Sequence, residues 1–158
     1  MRSTMVNPLI FPHVVLGDAT AVTALWIIVE LLEPTQKRVN RAALVSLLGL
    51  TLAWLVYIIG GYYYVVGYPP VRDVIKVSAW DWAHKIFMEA KEHIFLFGPY
   101  LMTTIAVALN FNRERLLTDN RSRRAIIVLS FIIVIGSATM LFMGVIISTG
   151  YRVALGGV

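Results

Sequence analysis

The chain has 158 residues, of which 58% are hydrophobic and only 15% are charged, a composition that excludes an ordinary water-soluble domain. It contains no cysteine, which excludes disulfides, iron–sulfur clusters, thiolate zinc sites and covalently attached haem. The net charge of +5 comes from basic residues in loops between apolar segments. We therefore expect these residues to set membrane orientation and contact the lipid bilayer, and we expect no nucleic-acid partner.

Four apolar segments predict an all-α, integral membrane four-helix bundle that forms a single transmembrane domain over residues 1–158. The segments cover residues 14–32, 42–66, 84–109 and 125–148. Each has the roughly 20 apolar residues that cross about 30 Å of hydrocarbon. Because the backbone in lipid must satisfy its own hydrogen bonds, these segments are expected to be helices. We expect residues 67–81 to form a loop and Pro99 to kink the third helix.

The loops predict which side of the membrane each end of the bundle faces. The connections after the first and third segments carry eight basic residues, whereas the opposite side carries six. The positive-inside rule then places both termini on the outer side of a prokaryotic inner (cytoplasmic) membrane. Glu30, near the inner end of the first segment, is expected to reach the headgroups or to pair with a basic residue of the following loop.

Ionisable residues are concentrated where the third segment begins, in the stretch WDWAHKIFMEAKEHIFLFGPY at residues 80–100. They include two histidines, His84 and His93, and two glutamates, Glu89 and Glu92. Such side chains are costly at the mouth of a membrane helix, so their presence indicates a functional site. A neutral imidazole can ligate a metal ion or a haem iron.

Two histidines on different helices are predicted to lie at the same depth. His13 lies 20 residues before Glu33, and His93 lies 20 residues before Arg113. On straight helices, both imidazoles are then about 30 Å from the inner face. His84 is nine residues before His93, which is half a turn out of phase, so a regular helix keeps it away from the same site.

The first interpretation of this geometry is a b-type haem. His13 and His93 would be its axial ligands between the first and third helices, and Gly17, one turn from His13, would leave room for the macrocycle. The protein would then pass electrons between quinol and an extracytoplasmic or complex-bound redox partner.

Two alternatives remain open. In one, a divalent ion such as copper or iron is bound at the outer face by a mixed set of nitrogen and oxygen ligands, drawn from His13, His93, Glu89, Glu92 and Asp18. In the other, nothing is bound, and these side chains reach water and pair with the lysines of the third helix. Either alternative suits a non-catalytic accessory or assembly subunit of a larger membrane complex. The sequence itself specifies no reaction.

A family resemblance adds a different choice of histidines. A histidine opens the first segment in PHVVLGDATAVTALW, a basic loop and a glycine-containing second segment follow, and Trp82, His84 and Lys85 open the third. This order resembles that of four-helix membrane proteins such as the copper-resistance D-type domains, the haem-binding protoporphyrinogen-oxidase-like proteins and small b-type cytochromes. The resemblance implies that His13 and His84, with Lys85 nearby, form the ligand region.

Overall fold

The structure, a computed structural model, describes residues 7–156, and within that range it contains helices, turns and bends. Four of its helical spans are long and apolar enough to cross a membrane, namely Ile10–Leu32, Gln36–Gly67, Ala83–Phe111 and Asn120–Ala154. The predicted all-α bundle of four membrane helices is confirmed. Every span is longer than predicted, and in the second and fourth spans the residues added before the apolar segment are mainly polar.

The spans are built from several helical elements. The α-helices are α1 (Ile10–Leu32), α2 (Gln36–Tyr62), α3 (Pro69–Lys76), α4 (Glu89–Ile94), α5 (Phe97–Phe111), α6 (Arg115–Thr118) and α7 (Asn120–Ala154). Two π-helical segments complete them, Tyr63–Gly67 at the end of the second span and Ala83–Met88 at the start of the third. Side chains cap two of the helices: Thr35 accepts from the backbone N–H of Arg38 before α2, and Asp119 caps α7.

The prediction of a loop over residues 67–81 is wrong in part, because α3 occupies its middle. Pro69 stands at the first position of this helix, where its fixed φ suits the helix and its missing N–H costs no hydrogen bond. Ile75 is the residue of α3 that is fully buried. The short helix therefore covers one end of the bundle.

The third span is interrupted rather than regular. A turn at Phe95 and Leu96 separates α4 from α5. Pro99 lies four residues after Phe95, so it has no N–H to donate to the Phe95 carbonyl, and its ring crowds that carbonyl. The interruption thus follows from Pro99, as the sequence predicted. Together with the π-helical segment at Ala83–Met88, it changes which residues of the third span lie on the same face.

The four spans pack as a square in which neighbours along the chain are also neighbours in space. The packed pairs are α1–α2, α2–α5, α5–α7 and α7–α1, so α1 and the third span lie at opposite corners. The two ends of the bundle differ in charge. We call the end at which α1 begins and α7 finishes the termini end, and the end with the connections at residues 33–35 and 112–119 the arginine end.

The apolar core has two parts. The larger cluster fills the half towards the arginine end and includes Ala24, Ala53, Met102 and Ile133. The smaller cluster lies under α3 at the termini end and includes Tyr68, Ile75, Ala83, Met88 and Ile147. Between these clusters the His13 imidazole lies on Gly60, and the Lys91 amino group lies 3.4 Å from the Cβ position of Gly144; we call this level of the bundle the polar layer.

An ion-pair network joins α1 to α2 at the arginine end. The Glu30 carboxylate is buried and accepts hydrogen bonds from Trp26 Nε1 at 2.9 Å, Arg38 Nε at 3.2 Å and Arg41 at 2.9 Å. The same Arg38 also donates to Glu33 at 2.6 Å. The prediction that Glu30 pairs with a basic residue near the following loop is therefore confirmed.

Candidate functional site

His13 anchors the polar layer between the two apolar clusters. Its Nδ1–H donates to the backbone carbonyl of Val56 on α2 at 3.1 Å. A carbonyl can only accept, so Nδ1 carries a proton and, in the neutral ring, Nε2 carries the free lone pair. The ring lies directly on Gly60, because a Cβ added there would be 2.5 Å from the imidazole Cε1. Any larger residue at position 60 would displace it.

Lys91 is the third-span residue that joins His13 in this layer. Its amino group reaches across to α7, where a Cβ on Gly144 would lie 3.4 Å from Nζ. Its charge is also close enough to act on the imidazole of His13. Within residues 7–156 the Lys91 amino group has neither a carboxylate nor another hydrogen-bond acceptor as its partner. An unpaired amine among membrane helices costs up to roughly 3 kcal/mol, so its retention indicates a function.

Aromatic rings line the side of the polar layer that faces the arginine end. Phe95 lies one turn beyond Lys91, and its ring stacks on Tyr57 with centroids 4.9 Å apart. Trp54 meets Tyr57 and Tyr100 edge to face, at centroid distances of 5.7 and 5.8 Å. Flat aromatic surfaces of this kind favour a planar ring as a neighbour.

A buried tyrosine–histidine pair lies on the other side of the polar layer, towards the termini end. The Tyr68 hydroxyl and His84 Nδ1 are hydrogen-bonded at 2.9 Å, and both residues are buried, at 2% and 4% exposure. Burial raises the pKa of the Tyr68 phenol well above its usual range, so the hydroxyl keeps its proton. Tyr68 follows one π-helical segment directly, and His84 lies inside the other. Such segments occur frequently at functional sites.

Charged side chains surround this pair. Glu89 and Glu92 on α4, and Arg72 and Lys76 on the α3 side, are all close enough for their charges to act on His84. The pair is thus placed between acidic and basic groups at the end of the bundle, where protons could be exchanged with water.

The predicted ligand His93 points away from the bundle interior. It lies two residues after Lys91, which is about 200° further around the helix, and its side chain is exposed. Its Nδ1–H donates to the carbonyl of Glu89 at 2.6 Å, within its own helix. Glu89 and Asp18 are exposed as well, whereas Glu92 is partly buried. The structure thus brings His13 together with Lys91, not with His93.

The structure does not turn the two predicted axial ligands, His13 and His93, towards one another. An axial pair must present two imidazole nitrogens to one iron, but His13 faces the interior and His93 faces outward. Among residues 7–156, no three side chains of the His, Cys, Asp or Glu types converge to hold a metal ion. At Gly17, an added Cβ would meet no atom within 4 Å.

Sequence reasoning missed Lys91 and Tyr68. Lys91 is seven residues after His84, which is almost two full turns, so the sequence placed both on one face. Glu89 and His93, four residues apart, indicate a different face of the same helix, and the spacing alone favours neither face. The irregular turns on either side of α4 explain why a straight-helix projection could not decide between the two faces. Tyr68 lay in the segment predicted to be a loop.

No family model, no curated protein and no solved structure matches the chain.

Proposed function

We propose that the protein is a quinol-binding subunit of a membrane redox complex and that the quinol headgroup binds at the polar layer. The observation that carries this proposal is the half-buried Lys91 amino group, which reaches towards Gly144 of α7, acts by its charge on the imidazole of His13 and has no acceptor among the described residues. The membrane is proposed to be a prokaryotic cytoplasmic membrane, with the termini end outside.

The chemistry of the layer suits a quinone ring. A quinone presents carbonyl oxygens that accept hydrogen bonds from an amine, and a quinol presents hydroxyls that donate to a neutral imidazole. Lys91 supplies the donor and the Nε2 of His13 supplies the acceptor. The stacked rings of Tyr57 and Phe95 supply a flat apolar surface next to them. Quinones dissolve in the bilayer, so the ligand would enter between the helices rather than from water.

The tyrosine–histidine pair then has a role in handling protons. Oxidation of a quinol releases two electrons and two protons. His84, with Tyr68 behind it and Glu89 and Glu92 nearby, lies between the layer and the end of the bundle, where protons leave. The electrons pass to a redox centre, haem or metal, that the proposal assigns to a partner subunit. The protein would thus bind quinol, as the first interpretation of the sequence expects, while acting as an accessory subunit, as its alternative expects.

Quenching of tryptophan fluorescence by a short-chain quinone tests the site. The chain has four tryptophans, and Trp54 packs against the aromatic surface below the layer. Replacing Lys91 by Met keeps the length of the side chain but removes a charged hydrogen bond of about 1.5–3 kcal/mol, so we expect the dissociation constant to rise at least roughly tenfold. Lys85→Met is the matched control, because Lys85 is exposed and pairs with Asp81.

Equal quinone affinity in Lys91→Met and the unaltered protein would refute the proposal.

An absorption spectrum of the purified protein tests the remaining haem interpretation. A Soret band that is abolished by His13→Ala and also by His93→Ala would establish the axial pair expected from the sequence. The two imidazoles would then have to leave their hydrogen bonds to Val56 and Glu89.

A further inference from the structure

A second site lies at the arginine end, away from the polar layer. A crevice of about 240 Å³ opens between the last turn of α5, the short α6 and the first turns of α7. Ala108, Ala125 and Leu129 form apolar walls, whereas Asn112 and Ser122 lie with Arg115 at the polar side. One side of the crevice is therefore apolar and the other polar, which matches the boundary between the hydrocarbon core and the headgroups of a bilayer.

The chain segment that forms and flanks this crevice carries excess positive charge. Residues 112–124 contain five arginines against one glutamate and one aspartate. The aspartate is already engaged: Asp119 accepts from Ser122 Oγ at 2.8 Å and from Arg115 Nε at 2.9 Å. These hydrogen bonds, from Ser122 first and then from Arg115, hold the pKa of the Asp119 carboxyl below its usual range. Asp119 and Arg115 therefore neutralise each other.

Two other arginines remain available to an anion. The guanidinium groups of Arg121 and Arg124 are exposed, and within residues 7–156 neither makes a hydrogen bond or an ion pair. Arg121 lies one turn before Ala125, on the same face of α7 as the wall of the crevice. Two cations three residues apart can bind one phosphate group together, because side chains at this spacing are neighbours on a helix.

We propose that this crevice binds an anionic phospholipid. Its phosphate would be held by Arg121 and Arg124, and its glycerol and upper acyl carbons would lie against Ala125 and Leu129. An apolar wall combined with an unpaired cationic rim favours a lipid over a soluble anion, which would leave the wall empty. Basic pockets between membrane helices recognise anionic headgroups by the same combination.

Lipid retention in nanodiscs tests this site with the full chain. Discs contain equal amounts of palmitoyl-oleoyl phosphatidylglycerol and phosphatidylcholine, and the lipid that co-purifies with the protein after detergent extraction is measured by native mass spectrometry. We expect phosphatidylglycerol to be enriched at least roughly fivefold over phosphatidylcholine. Ala125→Leu should abolish the enrichment by filling the crevice, whereas Ala138→Leu, at an exposed alanine of the same helix, should keep it.

Charge is tested separately, so that loss of folding is not mistaken for loss of binding. The double variant Arg121→Gln, Arg124→Gln should lose the enrichment, while Arg72→Gln at the termini end should not. Inorganic phosphate at millimolar concentration should not displace the lipid. Equal retention of the two lipids, unchanged enrichment in Ala125→Leu, or full displacement by phosphate would each overturn the proposal.

Discussion

Replacement of Glu30 by Gln tests whether the buried network at the arginine end holds α1 against α2. The Glu30 side chain is only 6% exposed, and its charge faces two guanidiniums. Removing one partner of a fully buried ion pair costs about 3–5 kcal/mol. Here the arginine side chains are 23% and 49% exposed, so they can regain water, and their exposure reduces the expected loss to about 2 kcal/mol.

The matched control is Glu33→Gln, which makes the same chemical change at another partner of Arg38. The Glu33 side chain is 85% exposed, so solvent screens its pair, and we expect less than about 0.5 kcal/mol. Unfolding by SDS in mixed micelles gives both free energies, and thermal unfolding should show a midpoint lower by roughly 4–8 °C for Glu30→Gln. Equal losses in the two variants would show that burial does not govern the strength of this network, and the reasoning would fail.

Three further predictions concern the termini end and the start of α7. Tyr68→Phe should lower stability by about 1–3 kcal/mol in the same SDS titration, because it leaves a buried nitrogen of His84 without its partner. Gly60→Ala should weaken quinone binding by displacing the imidazole packed on it, whereas Gly61→Ala, where a Cβ meets no atom within 4 Å, should not. Asp119→Ala should lower the thermal midpoint near neutral pH. The pKa of Asp119 is lower in the folded protein than the unfolded value of about 3.9, so its ionised carboxylate stabilises the fold above that pH. This stabilisation is lost progressively as the pH falls below the unfolded value. The difference in thermal midpoint between Asp119→Ala and the unaltered protein should therefore be smaller at about pH 3 than near neutral pH.

The fold could be predicted because bilayer thickness and backbone hydrogen bonding leave few choices. Segments of roughly 20 apolar residues must be helices in lipid, and four of them with short connections form a bundle. Their ends could not be predicted as well. Asn120 begins α7 because Asp119 caps it, and no hydropathy threshold detects a cap. Helix α3 escaped prediction for a related reason, since its prolines suggest a turn unless they are placed at a helix start.

The predicted pairing of His13 with His93 is not seen in the structure, because the His93 side chain is exposed and the His13 imidazole donates to the Val56 carbonyl. Spacing along α1 is a sound measure of height in the bundle, because α1 is a continuous helix from Ile10 to Leu32. For the third span, the projection assumed 100° per residue from His84 to His93 and a regular rise from His93 to Arg113. A π-helical segment and the turn before Pro99 both change that angle, and each depends on tertiary packing. The face of a helix with such irregularities cannot be read from spacing alone.

The two π-helical segments also explain why the tyrosine–histidine pair exists. The first contains the hydrogen bond from the N–H of Tyr68 to the carbonyl of Tyr63, five residues earlier, and the wider turn rotates Tyr68 under α3. The second contains the bond from the N–H of Glu89 to the carbonyl of His84 and turns the imidazole towards Tyr68. Each wide turn adds a residue at a cost in backbone geometry. Both wide turns act on the two residues that form one buried hydrogen bond, and this coincidence supports the role that we propose for the pair in proton exchange at the termini end of the bundle.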